Sequence, residues 1–155
     1  MGQGSAEMPK DRKERRNGLA VAMMPAFICI GWIAPTAAAE LPAEVLGVTW
    51  EWVSFTTPVE IVSVDAPERY TLQFVGDRAS LRADCNRGAG AYTVDADRRI
   101  ALGPLAFTRA ACPPGSLSDR FVKEVGRVTS YFLRDGDLYL ELPVDSGTLQ
   151  FRRQD

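Results

Sequence analysis

From residue 48 onward, apolar and polar residues alternate in short runs broken by turn residues, the pattern of half-buried antiparallel strands. Tyr70, Leu72 and Phe74 alternate with Thr71 and Gln73, and Gly76-Asp77 ends that run. Residues 48–55 and 59–64 read as the strands before it, and 79–83 as the strand after. Residues 91–94 and 99–102 flank Asp95-Ala96-Asp97 as a hairpin, and 105–108 form a further extended segment. Residues 130–134 and 137–142 flank Asp135-Gly136, a pair that favours a type I′ turn. Residues 148–152 follow Asp145-Ser146-Gly147 as the last strand. One stretch changes period. Leu117, Phe121, Val125 and Val128 recur at spacings of four, four and three, which predicts a helix over 118–128. Ser116 or Ser118 can cap it, and Gly126 weakens its last turn.

These short strands and one helix predict a mainly β chain, a small antiparallel β-barrel-like meander rolled so that its edges pair. The helix then closes one end or covers an open side.

The first forty residues have a different character. Basic residues from Lys10 to Arg16, an apolar run over 19–35 and the small-residue stretch Thr36-Ala37-Ala38-Ala39 are the three parts of a secretory signal. The expected leader is 1–39, cleaved after Ala39, and the expected domain is 40–155. The alternative is an inner-membrane anchor over 19–35, although Pro25 and Gly31 interrupt that run and a spanning helix needs about 20 apolar residues. Cys29 follows Ile28 rather than a small residue, so it reads as a passenger of the leader, and Met8 offers a later start with a tighter basic segment. The leader holds five basic and three acidic residues, so its loss takes the net charge from −2 to −4.

The chain has no histidine. That excludes Ser-His-Asp and Cys-His catalysis, His-ligated zinc or iron, and a His proton shuttle. The slightly acidic charge leaves no footprint for nucleic acid. Neither G-x-x-x-x-G-K-[ST] nor G-x-G-x-x-G occurs, so no nucleotide cofactor is indicated. Asp95-x-Asp97 and Asp135-x-Asp137 lack the other oxygen ligands of a calcium loop, and turn aspartates are ordinarily solvated. No catalytic residue, metal ligand or cofactor is expected. After leader removal, Cys85 and Cys112 remain, an even pair that in an exported domain reads as a disulfide, with two free thiols as the alternative.

Three ordered clusters carry a resemblance. They are Leu46-Gly47-Val48-Thr49-Trp50, then Asp84-Cys85-Asn86 with Gly90-Ala91-Tyr92, then Thr108-Arg109-Ala110-Ala111-Cys112. Their motif residues are Gly47, Trp50, Asp84, Cys85, Asn86, Gly90, Tyr92, Thr108, Ala111 and Cys112. The set resembles the META domain, or HslJ-like, family over the whole mature chain. Two departures are Ala110, where a methionine is common, and the small Arg87-Gly88-Ala89. The resemblance implies a small barrel-like β domain with one helix, exported in bacteria, associated with envelope stress and heat shock, and without an assigned reaction. The residues themselves read as architecture. Asn86 suits a tight turn, Gly88 and Gly90 suit positive φ or a close backbone approach, and Thr108 can bond backbone near a disulfide.

In the first strand, Trp50 and Trp52 share one face, and Glu51, Val53 and Phe55 share the other. Strict alternation leaves large apolar groups on both faces, so Trp52 and Phe55 are the expected partner surface. The sequence therefore predicts a monomeric, non-enzymatic envelope protein that acts by binding another envelope protein or a small ligand. A carrier of small apolar ligands and an inhibitor or chaperone of another secreted protein are the alternatives.

Overall fold

The computed structural model describes residues 39–155. The expected leader, with Cys29, and the alternative anchor over 19–35 lie outside the described residues, apart from Ala39 itself. Among the described residues, no helix is long and apolar enough to cross a membrane.

Ten strands form one antiparallel sheet: β1 (Thr49–Thr56), β2 (Ile61–Ser63), β3 (Tyr70–Val75), β4 (Arg78–Ala83), β5 (Asn86–Val94), β6 (Ile100–Leu102), β7 (Ala106–Phe107), β8 (Ser130–Arg134), β9 (Asp137–Glu141) and β10 (Thr148–Arg153). The helix α1 (Ser118–Val125) lies between β7 and β8. The order along the sheet is β6-β5-β4-β3-β1-β10-β9-β8, with β2 added to β1 and β7 to β5. The first and last strands thus pair, which rolls the meander up. The remaining seam is narrow. Ile100 N–H donates to Thr129 O at 3.0 Å and Tyr131 N–H to Arg98 O at 3.1 Å, so β6 meets β8 and the barrel nearly closes.

Local chemistry accounts for the tight turns. Asp135 (φ 54°) and Gly136 (φ 87°) both take left-handed backbone, as a type I′ turn requires. In β3, Tyr70, Leu72 and Phe74 point inward as the alternation predicts. Two elements differ most from expectation. The helix ends at Val125 rather than Val128, because Arg127 and Val128 donate three residues back, to Glu124 and Val125, and tighten the last turn. β5 starts at Asn86 rather than Ala91, because Gly88-Ala89-Gly90 carries no alternating side chains yet pairs fully with β4.

The core holds rings and branched chains from the strands, with Phe121 and Val125 of α1 laid into it. The Phe121 ring lies 5.3 Å from Trp52, 5.9 Å from Tyr70 and 6.2 Å from Phe151. Trp52 also meets Tyr70 edge-on at 5.7 Å.

The expected partner surface is corrected by this core. Trp52 is 0% exposed and Phe55 2%. The cause is a bulge in β1. Trp52 faces Phe151 of β10 and Ser54 faces the next residue, Gln150, so Val53 is an extra residue without an opposite number. One added residue shifts the side-chain phase. Trp50, Trp52 and Phe55 all turn inward, and neither tryptophan nor Phe55 is available to a partner.

Candidate functional site

Most motif residues after the first strand converge where the chain leaves β4 and where it returns along β5. Asp84 takes left-handed backbone (φ 58°) and makes the turn with Cys85. Asn86, expected in the turn, is instead the first residue of β5 and is buried. Its side chain is a hub. Oδ1 accepts from the Ala110 N–H at 2.7 Å and from the Thr108 hydroxyl at 3.0 Å. Nδ2 donates to Ala110 O at 3.2 Å. It also lies 3.4–3.5 Å from the two cysteine sulfurs. Thr108 completes a second tie, accepting from the Arg87 N–H at 3.0 Å on its hydroxyl and donating its own N–H to Arg87 O at 2.9 Å. Cys85 and Cys112 form a disulfide with Cα atoms 5.5 Å apart. One amide, one hydroxyl and one covalent bond thus fasten the chain after β7 to the start of β5.

The glycines of β5 make room for this return. A Cβ on Gly88 would lie 2.4 Å from the Phe107 ring, and one on Gly90 would lie 2.8 Å from Leu105 and from Pro104 O. Neither glycine has positive φ, so close approach is what the positions require.

Asp84 is buried beneath the turn. Its Oδ1 accepts from Arg69 Nε at 2.8 Å and forms an ion pair with the same guanidinium. Its Oδ2 is buried without a hydrogen bond of ordinary geometry. The Ser116 hydroxyl beside it accepts from Ser118 N–H at 3.2 Å and keeps its own proton free to turn toward that oxygen. Ser116 and Arg69 hold the Asp84 carboxyl below its ordinary value, against the upward push of burial.

The other motif residues lie elsewhere. Gly47 (φ 72°) turns the chain into β1, its N–H bonded to Phe74 O at 2.8 Å. Trp50 is in the core and donates to Val45 O at 3.2 Å. Tyr92 packs edge-on to Phe74 at 4.9 Å and donates to Gly76 O at 2.8 Å. Burial, Glu40 and Asp77 push its hydroxyl up. Ala111 is exposed in the loop before Cys112. Arg69, Ser116 and Phe107 belong to the assembled site although no motif marks them, since only the fold brings them to it. Among the described residues, no group of three or more histidine, cysteine or carboxylate side chains is placed to hold a metal ion. A groove of about 720 Å³ runs between the fastened segment and α1, lined in part by Leu105, Phe107, Arg109, Ser118, Asp119 and Val122.

A nearly closed antiparallel barrel, with its return segment stapled onto a glycine-bearing strand, defines a small disulfide-bonded β domain. The family model for the META domain matches residues 43–155, and the chain belongs to the META domain family. Two solved structures share its fold. One is the NMR structure of a protein from Burkholderia xenovorans, 22% identical, with a TM-score of 0.59 over 78% of this chain and 97% of the other. The second is the crystal structure of a DUF4847-family protein from Bacteroides vulgatus, 15% identical, with a TM-score of 0.53 over 72% of this chain and 96% of the other. A search of curated proteins gives no match.

Proposed function

We propose that this chain is an exported, non-catalytic envelope domain that acts by binding a partner. The observation that carries the reading is how the motif residues are used. Asn86 and Thr108 spend their polar atoms on Ala110, Arg87 and each other, and Cys85 and Cys112 are bonded. Residues so engaged hold a surface in place and are not free to attack or protonate a substrate. The disulfide and the leader-like segment support export, since disulfides persist in oxidising compartments. Packing argues against the carrier alternative, because Trp50, Trp52, Phe74, Phe121 and Phe151 occupy the interior that a carried apolar molecule would need.

The test is cross-linking in the intact envelope of the producing cell, with the purified protein assayed in parallel against hydrolase and redox substrates. A saturable cross-linked partner and no turnover are expected. Turnover that disappears on a single point change overturns the reading.

A further inference from the structure

We infer that Cys85 and Cys112 close their disulfide in the already folded chain, by exchange with a low-molecular-weight disulfide, and that Asn86 and Thr108 are the residues that position them. The inference goes beyond the binding role and does not depend on it.

The ties that bring the two sulfurs together do not pass through sulfur. Asn86 follows Cys85 directly, and its side chain takes both the N–H and the C=O of Ala110, two residues before Cys112. Thr108 bonds Arg87 through its hydroxyl and its N–H. Ala83 and Asn86 pair across β4 and β5, so Asp84-Cys85 is a turn that the ladder holds by itself. Neither cysteine belongs to the buried apolar cluster of the barrel. Reduction therefore removes one link from a frame that the core, the ladder and two polar side chains still hold. In an unfolded chain the same closure must bring together residues 27 positions apart, at the entropic cost of a loop of that length. In the folded chain that cost is already met, and the Cα atoms stand 5.5 Å apart in the closed form.

The two cysteines differ in access. Asp84 and Asn86, on either side of Cys85, are buried, whereas Ala111 and Pro113, on either side of Cys112, are exposed. Cys112 thus meets the oxidant first. It gives its proton to water, and the thiolate attacks one sulfur of the incoming disulfide R–S–S–R, forming a mixed disulfide and expelling RS⁻. Cys85, deprotonated in turn, attacks the Cys112 sulfur and expels the second RS⁻. Two protein thiols are oxidised to one disulfide and R–S–S–R is reduced to two thiols, once per chain and without turnover. Asn86 serves both steps. One N–H of its amide goes to Ala110 O, which leaves the other for the two sulfurs, 3.5 and 3.4 Å from Nδ2. A donor at that place favours thiolate over thiol.

The experiment reduces the purified, naturally processed protein with dithiothreitol in native buffer, removes the reductant and adds oxidised glutathione, with free thiols counted by alkylation and mass spectrometry. The reduced protein should keep the near-ultraviolet dichroism of the barrel aromatics. It should close at least about tenfold faster than the same protein in denaturing urea. In glutathione buffers, Thr108→Val should lower the equilibrium constant for closure about tenfold, or about 30 mV, without moving the pH dependence of the rate. Asn86→Asp keeps the acceptor for Ala110 and Thr108 but loses the donor, so it should move that pH dependence upward, a shift that a merely structural role does not produce. Should Asn86→Asp fail to fold, Thr108→Val and the unaltered chain decide. Loss of the native spectrum on reduction, closure no faster than in urea, an unchanged equilibrium constant in Thr108→Val, or an unmoved pH dependence in folded Asn86→Asp would overturn the proposal.

Discussion

β1 and β7 both form part of the barrel wall, and they are held there by opposite means. β1 has eight residues, pairs with β10 on one side and with β3 and β2 on the other, and turns Trp50, Trp52 and Phe55 into the core. β7 has two residues, pairs only with β5, and turns Phe107 onto a glycine. Burial of three large rings holds the first. The second has too little apolar surface for that, so an asparagine, a threonine and a disulfide hold it. The contrast separates the strand that makes the barrel from the strand displayed by it.

Removing a ring from β1 should have the largest effect. Trp52→Ala deletes a fully buried indole that touches Tyr70 and Phe121, and it leaves Ser54 O without the donor it meets at 2.8 Å. A loss of about 3–5 kcal/mol is expected in chemical denaturation, as for large-to-small core changes. A cost below about 1 kcal/mol would mean that β1 is not the barrel's main support. Next comes the covalent clamp on β7. Cys85→Ser with Cys112→Ser opens a loop spanning 27 positions, and a chain-entropy estimate puts the cost at about 3–4 kcal/mol. The comparison predicts where the damage appears. Hydrogen exchange should speed up at Thr108 and Ala110 well before it does in β1, and uniform acceleration across the barrel would break the distinction. Gly88→Ala follows. Its methyl would sit 2.4 Å from the Phe107 ring, so β7 must lift or the ring must swing out, at about 1–3 kcal/mol. The NMR signals of Phe107 should shift while those of Trp50 hold.

The same division governs what could be read from the chain. The β3 alternation, the Asp135-Gly136 turn and the fastening role of Thr108 follow from local chemistry, and the structure contains each. The bulge at Val53 does not, because an extra residue in one strand is defined only against its partner, and β10 lies about a hundred residues away in sequence. That single residue turned Phe55 from an expected surface group into core. The first half of β5 is silent to any period, because glycine carries no side chain to mark a face. Asn86 showed its polar character but not its partners. Ala110 lies twenty-four positions away, and its peptide group looks like any other.

The smallest effect concerns Asp84 and tests whether the stapled end is also the acid-sensitive end. The carboxyl is held below its ordinary value by Ser116 and Arg69, while in the unfolded chain it returns to about 3.9. Between those two values the unfolded chain binds the proton and the folded chain does not. The stability that Asp84 contributes is therefore complete above about pH 4 and is lost as pH falls through the lower, folded value. Asp84→Asn keeps a residue that tolerates the left-handed turn and removes the charge. Its stability should fall less steeply with acid below about pH 4 than that of the unaltered protein. The steep part should be read at Thr108 and Ala110 by hydrogen exchange at several pH values. Equal slopes for the two proteins would show that the Asp84–Arg69 pair does not couple to acid, leaving the hydrogen bonds of Asn86 and the disulfide as what holds β7 in place.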